Sequence, residues 1–156
     1  DGSDQTRLTF GTNSDLMPAW SPDGSKLAFQ TLRDGNWEVY VMNADGSDPT
    51  NLSDHPADDY RPKWSPDGSK IAFRSTRSCN WDVHVMNPDG SAVINATQSA
   101  AAEQDLSWSP DSRQIVSSGF DSGTGSWEIY RVNADGTRLV NLTNTVGVDS
   151  HPNWAR

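Results

Sequence analysis

Seven tryptophans occupy only two positions of an internal repeat, and that spacing constrains the fold more than any other feature. Trp20, Trp64 and Trp108 each open a Trp-Ser-Pro motif at steps of 44 residues, and Trp154 follows after 46. Trp37, Trp81 and Trp127 form a second series with steps of 44 and 46. Asn43-Ala44-Asp45-Gly46, Asn87-Pro88-Asp89-Gly90 and Asn133-Ala134-Asp135-Gly136 keep the same step. Asp1-Gly2-Ser3-Asp4 matches Asp45-Gly46-Ser47-Asp48, so the sequence reads from near the end of an earlier copy. The two extra residues of the third step fall in the Gly-rich run from Gly119 to Gly125. A period of this length marks an array of one supersecondary unit.

Each copy reads as four short antiparallel strands. The first leads to Trp20 and is cut by Ser21-Pro22-Asp23-Gly24, where Pro and Asp-Gly favour a tight turn. Lys26–Thr31 is the second strand, and Trp37–Met42 the third, rich in β-branched and aromatic residues. A fourth lies around Thr50–Ser53, matched by Arg7-Leu8-Thr9 and Asn141-Leu142-Thr143. In the second copy Asn95-Ala96-Thr97 lacks the leucine, which predicts a weakly packed outer strand. Asn95 and Asn141 fit the glycosylation pattern, but the same position recurs as Asn51-Leu52-Ser53, so these are read as strand residues. No stretch carries a 3.6-residue apolar period. Four strands per copy, repeated with turns between, predict an all-β chain of propeller blades.

The hydrophobic content of 33% is low for a globular protein, and the tryptophans offset it. A net charge of −9 argues against a nucleic-acid partner and against anionic membrane surfaces. No apolar stretch has the length needed for membrane insertion. The single cysteine, Cys79, excludes an internal disulfide and a Cys/His zinc pattern.

Five residues before each repeat tryptophan stands a carboxylate: Asp15, Asp59, Glu103 and Asp149. Each lies where the chain enters an innermost strand, a place that propellers gather around the central channel on one face. Four such groups around an axis are oxygen ligands for a hard cation such as calcium. The competing reading is local, with each carboxylate fixing its own turn. His55 and His151 lie in the same loops near Asp59 and Asp149, so these six residues are the candidate binding face, with a mixed metal site as one option. Asp23, Asp67 and Asp111, and likewise Asp45, Asp89 and Asp135, are read as turn formers. Glu38, Asp82 and Glu128 on the third strands are expected to meet solvent or Arg33 and Arg77. No catalytic residue is assigned: there is no Gly-x-Ser-x-Gly elbow and no phosphate-cradling glycine loop before a helix.

Pro18-Ala19-Trp20-Ser21-Pro22-Asp23-Gly24 through Phe29, followed by Glu38-Val39-Tyr40-Val41-Met42-Asn43-Ala44-Asp45-Gly46, resembles the TolB-type β-propeller repeat. The second copy matches from Pro62 to Phe73 and again from Asp82 to Asn87. The third is looser, with Leu106 for proline, Ser112 for glycine and Ser117 for phenylalanine. The resemblance covers almost the whole chain. It implies a six- or seven-bladed ring in a complete protein, a periplasmic or extracellular setting, and protein or peptide partners. On this reading blades span residues 18–61, 62–105 and 106–151. Residues 1–17 carry the outer strand of a preceding blade at 6–10, and 152–156 carry the innermost strand of a following one. Three blades leave open faces, so two chains are expected to close a six-bladed ring as a homodimer. Function is expected to be a non-catalytic binding or assembly scaffold without cofactor. A metal-assisted hydrolase or lyase using the axial carboxylates, and an excised piece of a larger propeller, are the alternatives.

Overall fold

The computed structural model describes residues 3–145 and 147–154. The match of Asp1-Gly2 to Asp45-Gly46 therefore lies outside the described residues, as do the last two residues of the expected segment 152–156. Twelve strands form three four-stranded antiparallel sheets. The first sheet comprises β1 (Asp15–Trp20), β2 (Lys26–Thr31), β3 (Glu38–Asn43) and β4 (Thr50–Asn51), in that spatial order. The second comprises β5 (Asp59–Trp64), β6 (Ile71–Ser75), β7 (Asp82–Met86) and β8 (Ile94–Asn95). The third comprises β9 (Ala102–Trp108), β10 (Gln114–Asp121), β11 (Ser126–Asn133) and β12 (Val140–Asn141). This is the all-β blade architecture that the repeat predicts. Among the described residues no helix is long and apolar enough to cross a membrane.

The turns show why the repeat keeps its residues. In the first β1–β2 turn the Gly24 amide donates to the Ser21 carbonyl at 2.9 Å. Asp23 accepts from the Ser25 amide at 3.0 Å and from the Ser21 hydroxyl at 2.6 Å. Those bonds hold the Asp23 carboxyl down at about 2. Gly24 and Gly68 sit at φ 71° and 72°, and Ser112 in the third copy accepts the same left-handed conformation at 61°. Ser112 is compensated by a bond of its own, because its hydroxyl accepts from the Asp67 amide at 3.0 Å.

Bulges interrupt the pairing of every innermost strand. Pro18 and Pro62 lie in two of them, on strands that carry no neighbour on their free edge, where a missing N–H costs nothing to the ladder. Leu106 at the same position pairs regularly with Ser117, and the irregularity of that strand moves to Gln104.

Successive sheets stack face to face. Ala28, Val39 and Val41 of the first meet Ile71, Phe73 and Met86 of the second. Ala72, Val83 and Val85 of the second meet Leu106, Trp108, Ile115 and Val132 of the third. Each buried Val, Leu, Ile, Phe or Met side chain among them contributes roughly 1.5–3 kcal/mol. Backbone bonds at the sheet corners repeat the same joint: the Asp59 amide donates to the Trp37 carbonyl at 2.8 Å, Glu103 to Trp81 at 2.7 Å and Asp149 to Trp127 at 3.0 Å.

Three expectations change. Residues 6–10 form no strand, although Leu8 packs on Leu27, Phe29, Tyr40 and Met42 as an outer-strand leucine would. Asn153 and Trp154 form no strand either, but Val148 bridges Trp127 and the Ser107 hydroxyl donates to Asn153, so the segment runs where a fourth innermost strand would lie. Among the described residues neither segment has the adjacent strand of its own sheet with which it would pair. The outer strand of the second copy is not weakly packed: Ala96 is fully buried in the core, whereas Leu52 is only partly covered.

Candidate functional site

The innermost strands line a groove of about 450 Å³ whose walls include Met17, Pro18, Trp20, Arg61, Lys63, Trp64 and Asp105. Met17, Arg61, Asp105 and His151 hold one repeat position, two residues after each axial carboxylate. Met17, Arg61 and His151 have φ of 53°, 53° and 56°, a conformation that turns the chain at the bulge. The Gln30 side chain fixes one of these turns by accepting the Arg61 amide at 2.9 Å.

The groove carries a charged network across three successive inner segments. The Arg61 guanidinium bonds the Asp105 carboxylate, and His151 Nε2 lies 3.6 Å from the second Asp105 oxygen. Arg74 stands nearby with its guanidinium carbon 3.7 Å from the centre of the Trp81 ring, a cation–π contact. Burial and the Arg61 charge lower the Arg74 pKa, and the Arg74 Nε is buried without a hydrogen-bond partner. Met17 and Trp20 are exposed at the open end, with Trp20 at 54%. Apolar contact area beside fixed donors and acceptors is the make-up of a recognition surface.

The structure does not bring the four axial carboxylates together. Asp15 bonds Arg33 at 3.3 Å. Burial opposes its ionisation, but hydrogen bonds from Thr31 and Thr9 and the Arg33 charge hold its pKa below the ordinary value. Asp59 is fully buried and bonds Arg77 at 2.7 Å. Glu103 is fully buried, accepts from the Ser99 hydroxyl at 2.6 Å and is pushed up to about 8, chiefly by burial. Asp149 accepts from Thr145 at 2.9 Å. Among the described residues no three His, Cys, Asp or Glu side chains stand where they could share a metal ion. Each of the four carboxylates is used on its own neighbours.

The histidines part company too. His55 shapes its loop, accepting the Ala57 amide at 3.0 Å and donating its own amide to Glu38 at 3.2 Å. His151 faces Asp105 rather than Asp149. Arg33 and Arg77 serve Asp15 and Asp59, not the third-strand acids. Glu38, Asp82 and Glu128 are buried instead, and hydroxyls of Ser53, Thr97 and Thr143 donate to them. A carboxylate at the start of each third strand therefore ties down the loop that follows the fourth. Sequence reasoning named His151 but missed Arg61 and Asp105, the other two members of the network. A signal was present, since this position holds Met17, Arg61, Asp105 and His151 in successive copies while an acid recurs two residues before it.

A family model of the TolB beta propeller domain matches residues 5–123. Among solved structures, a TolB-type protein from Agrobacterium tumefaciens is similar at 25% identity and a TM-score of 0.73, covering 82% of this chain and 48% of that one. TolB from Acinetobacter baumannii gives 20% identity and 0.68, covering 83% and 32%. The oligogalacturonate lyase of Vibrio parahaemolyticus gives 16% and 0.71, covering 98% and 48%. The chain spans half or less of the length of each of these proteins.

Proposed function

Starting from the fact that this chain belongs to the TolB β-propeller domain family, we propose that it is a non-catalytic binding module whose inner groove receives a protein or peptide segment. The observation that carries this reading is the Arg61–Asp105–His151 network set beside exposed Met17 and Trp20. Arg61 offers a fork of donors, Asp105 offers acceptors, and the indole and thioether supply contact area. A peptide backbone or a mixed-charge side-chain set is complementary to that combination. Charged groups in this half-exposed setting give specificity more than affinity.

A displayed-peptide selection against the chain tests the reading, with Arg61→Glu and Trp20→Ala as comparison proteins. Selected peptides should bind at micromolar affinity and weaken at least tenfold in either variant. Peptides that bind both variants unchanged would place recognition elsewhere. Turnover of oligogalacturonate, alone or with a divalent cation, would contradict the non-catalytic part.

The same reading extends to self-association in a periplasmic or extracellular setting. On the outer face of the first sheet Leu27, Phe29 and Met42, covered by Leu8, border a hollow of about 260 Å³ that Thr9, Leu16 and Pro18 also line. A sheet from a second copy would extend the stacking found at the two internal joints. Light scattering should give twice the chain mass of 17.1 kDa. A monomer at high micromolar concentration would remove this part and leave groove binding untouched.

A further inference from the structure

At the joint between the second and third sheets, the internal repeat exchanges the two acids that meet there. The third-strand acid is Glu38, Asp82 or Glu128, and the inner-strand acid that follows is Asp59, Glu103 or Asp149. Glutamate precedes aspartate in the first and last pairs, but aspartate precedes glutamate in the middle one. Glu38 and Glu128 each reach the loop after the fourth strand, accepting the amides of His55 and Thr145 at 3.2 and 3.3 Å. Asp82 is one methylene shorter and holds only Thr97 and Asn95, at 3.2 and 2.6 Å. Glu103 comes from the other side to fill the gap, taking Ser99, the counterpart of His55, at 2.6 Å.

The third sheet has also lost what neutralises the inner-strand acid elsewhere. Arg33 and Arg77 bond Asp15 and Asp59, but Asp121 stands at the equivalent place in β10. Gly119 replaces Thr31 and Ser75 opposite Glu103. Glu103 and Asp82 are 0% and 2% exposed, and Glu103 Oε2 has no donor. Arg74 on β6, Asp105 on β9, Tyr130 on β11 and His84 on β7 are the other titratable groups that face the pair. Among the described residues neither carboxyl bonds a lysine or arginine. The Glu103 amide bonds the Trp81 carbonyl next to Asp82, and two adjacent buried carboxyls with no cation bonded to either cannot both ionise cheaply.

We infer that Glu103 and Asp82 share one proton, and that this proton holds the second and third sheets together, making the joint loosen as pH rises. The Glu103 carboxyl, carried up to about 8 by burial with the Asp82 charge adding to it, is consistent with that arrangement. A raised carboxyl binds its proton more tightly in the native state than in the unfolded chain. Its stabilisation is therefore complete below the ordinary value of 4.5 and is lost as pH rises through about 8.

Carboxyl carbon NMR of the wild-type chain should show one glutamate titrating well above the others, and Glu103→Gln should remove that resonance. In thermal melts the wild-type midpoint should fall between pH 5 and 9, while E103Q should stay flatter and lie several degrees higher at pH 9. The two proteins should converge near pH 5. A Glu103 carboxyl titrating near 4.5, or an E103Q profile parallel to wild type, would overturn the inference. If E103Q does not fold, the wild-type titration decides alone.

Discussion

Single atoms decide how closely successive sheets approach. Gly90 sits at φ 83°, and a Cβ placed on it would come 2.7 Å from the Leu52 carbonyl oxygen of the preceding outer strand. Gly46 meets Leu8 in the same manner at 2.8 Å, whereas Gly24 has open space around it. Gly90→Ala is therefore expected to cost about 1–3 kcal/mol, with Gly24→Ala at the low end of that range, in urea unfolding. Charge pairs differ for a similar reason of surroundings. Arg77→Ala leaves the Asp59 carboxyl without its partner in a site closed to water and should cost about 3–5 kcal/mol. Arg33→Ala exposes a carboxylate that water already reaches, and the same measurement should give about 1 kcal/mol or less.

The third sheet departs most from its siblings as an element. Its β10 and β11 run through Asp121 and from Ser126, so the added residues lengthen a hairpin and leave the stacked part of the sheet in register. Where the first two sheets place Phe29 and Phe73, it places Ser117, fully enclosed with a hydroxyl that has no partner. Removing an unpaired buried hydroxyl relieves its desolvation, so Ser117→Ala should stabilise the chain by about 1 kcal/mol in chemical denaturation. Position in the array matters as much as residue type. Trp108 is 7% exposed because it leans on the second sheet and donates to the Lys63 carbonyl at 3.0 Å, while no sheet among the described residues covers its equivalent Trp20 in the same way.

Across the whole molecule the ionisable groups set opposing slopes of stability with pH. Asp23 and Asp67 at about 2, together with lowered Asp45, Asp89, Asp111 and Asp135, favour the native state above the ordinary value of 3.8. That contribution is lost as pH falls through their lowered values. Glu103 acts the other way above 4.5. His84, lowered by burial, adds stability above its ordinary value of 6.5 that is lost as pH falls. Thermal midpoints measured from pH 2 to 9 should therefore peak between the carboxylate and histidine ranges, at about pH 4–6.5. A maximum at pH 7 or above would contradict this balance.

The repeat alone determined the blades, the four strands in each and the turn chemistry, because local bonds within five residues of each turn form them and every copy repeats the same demand. The aspartates of those turns were legible for the same reason. Pairing between copies was not. Which acid meets Arg61 and which meets another acid depends on side chains of different copies, in the first case 44 residues apart, brought together only when the sheets stack. The axial carboxylates were found as a pattern, but tertiary packing turned each toward a different neighbour. Arg61 and Asp105 were passed over because the variation of their position from copy to copy looks like noise until the inner strands converge on one face.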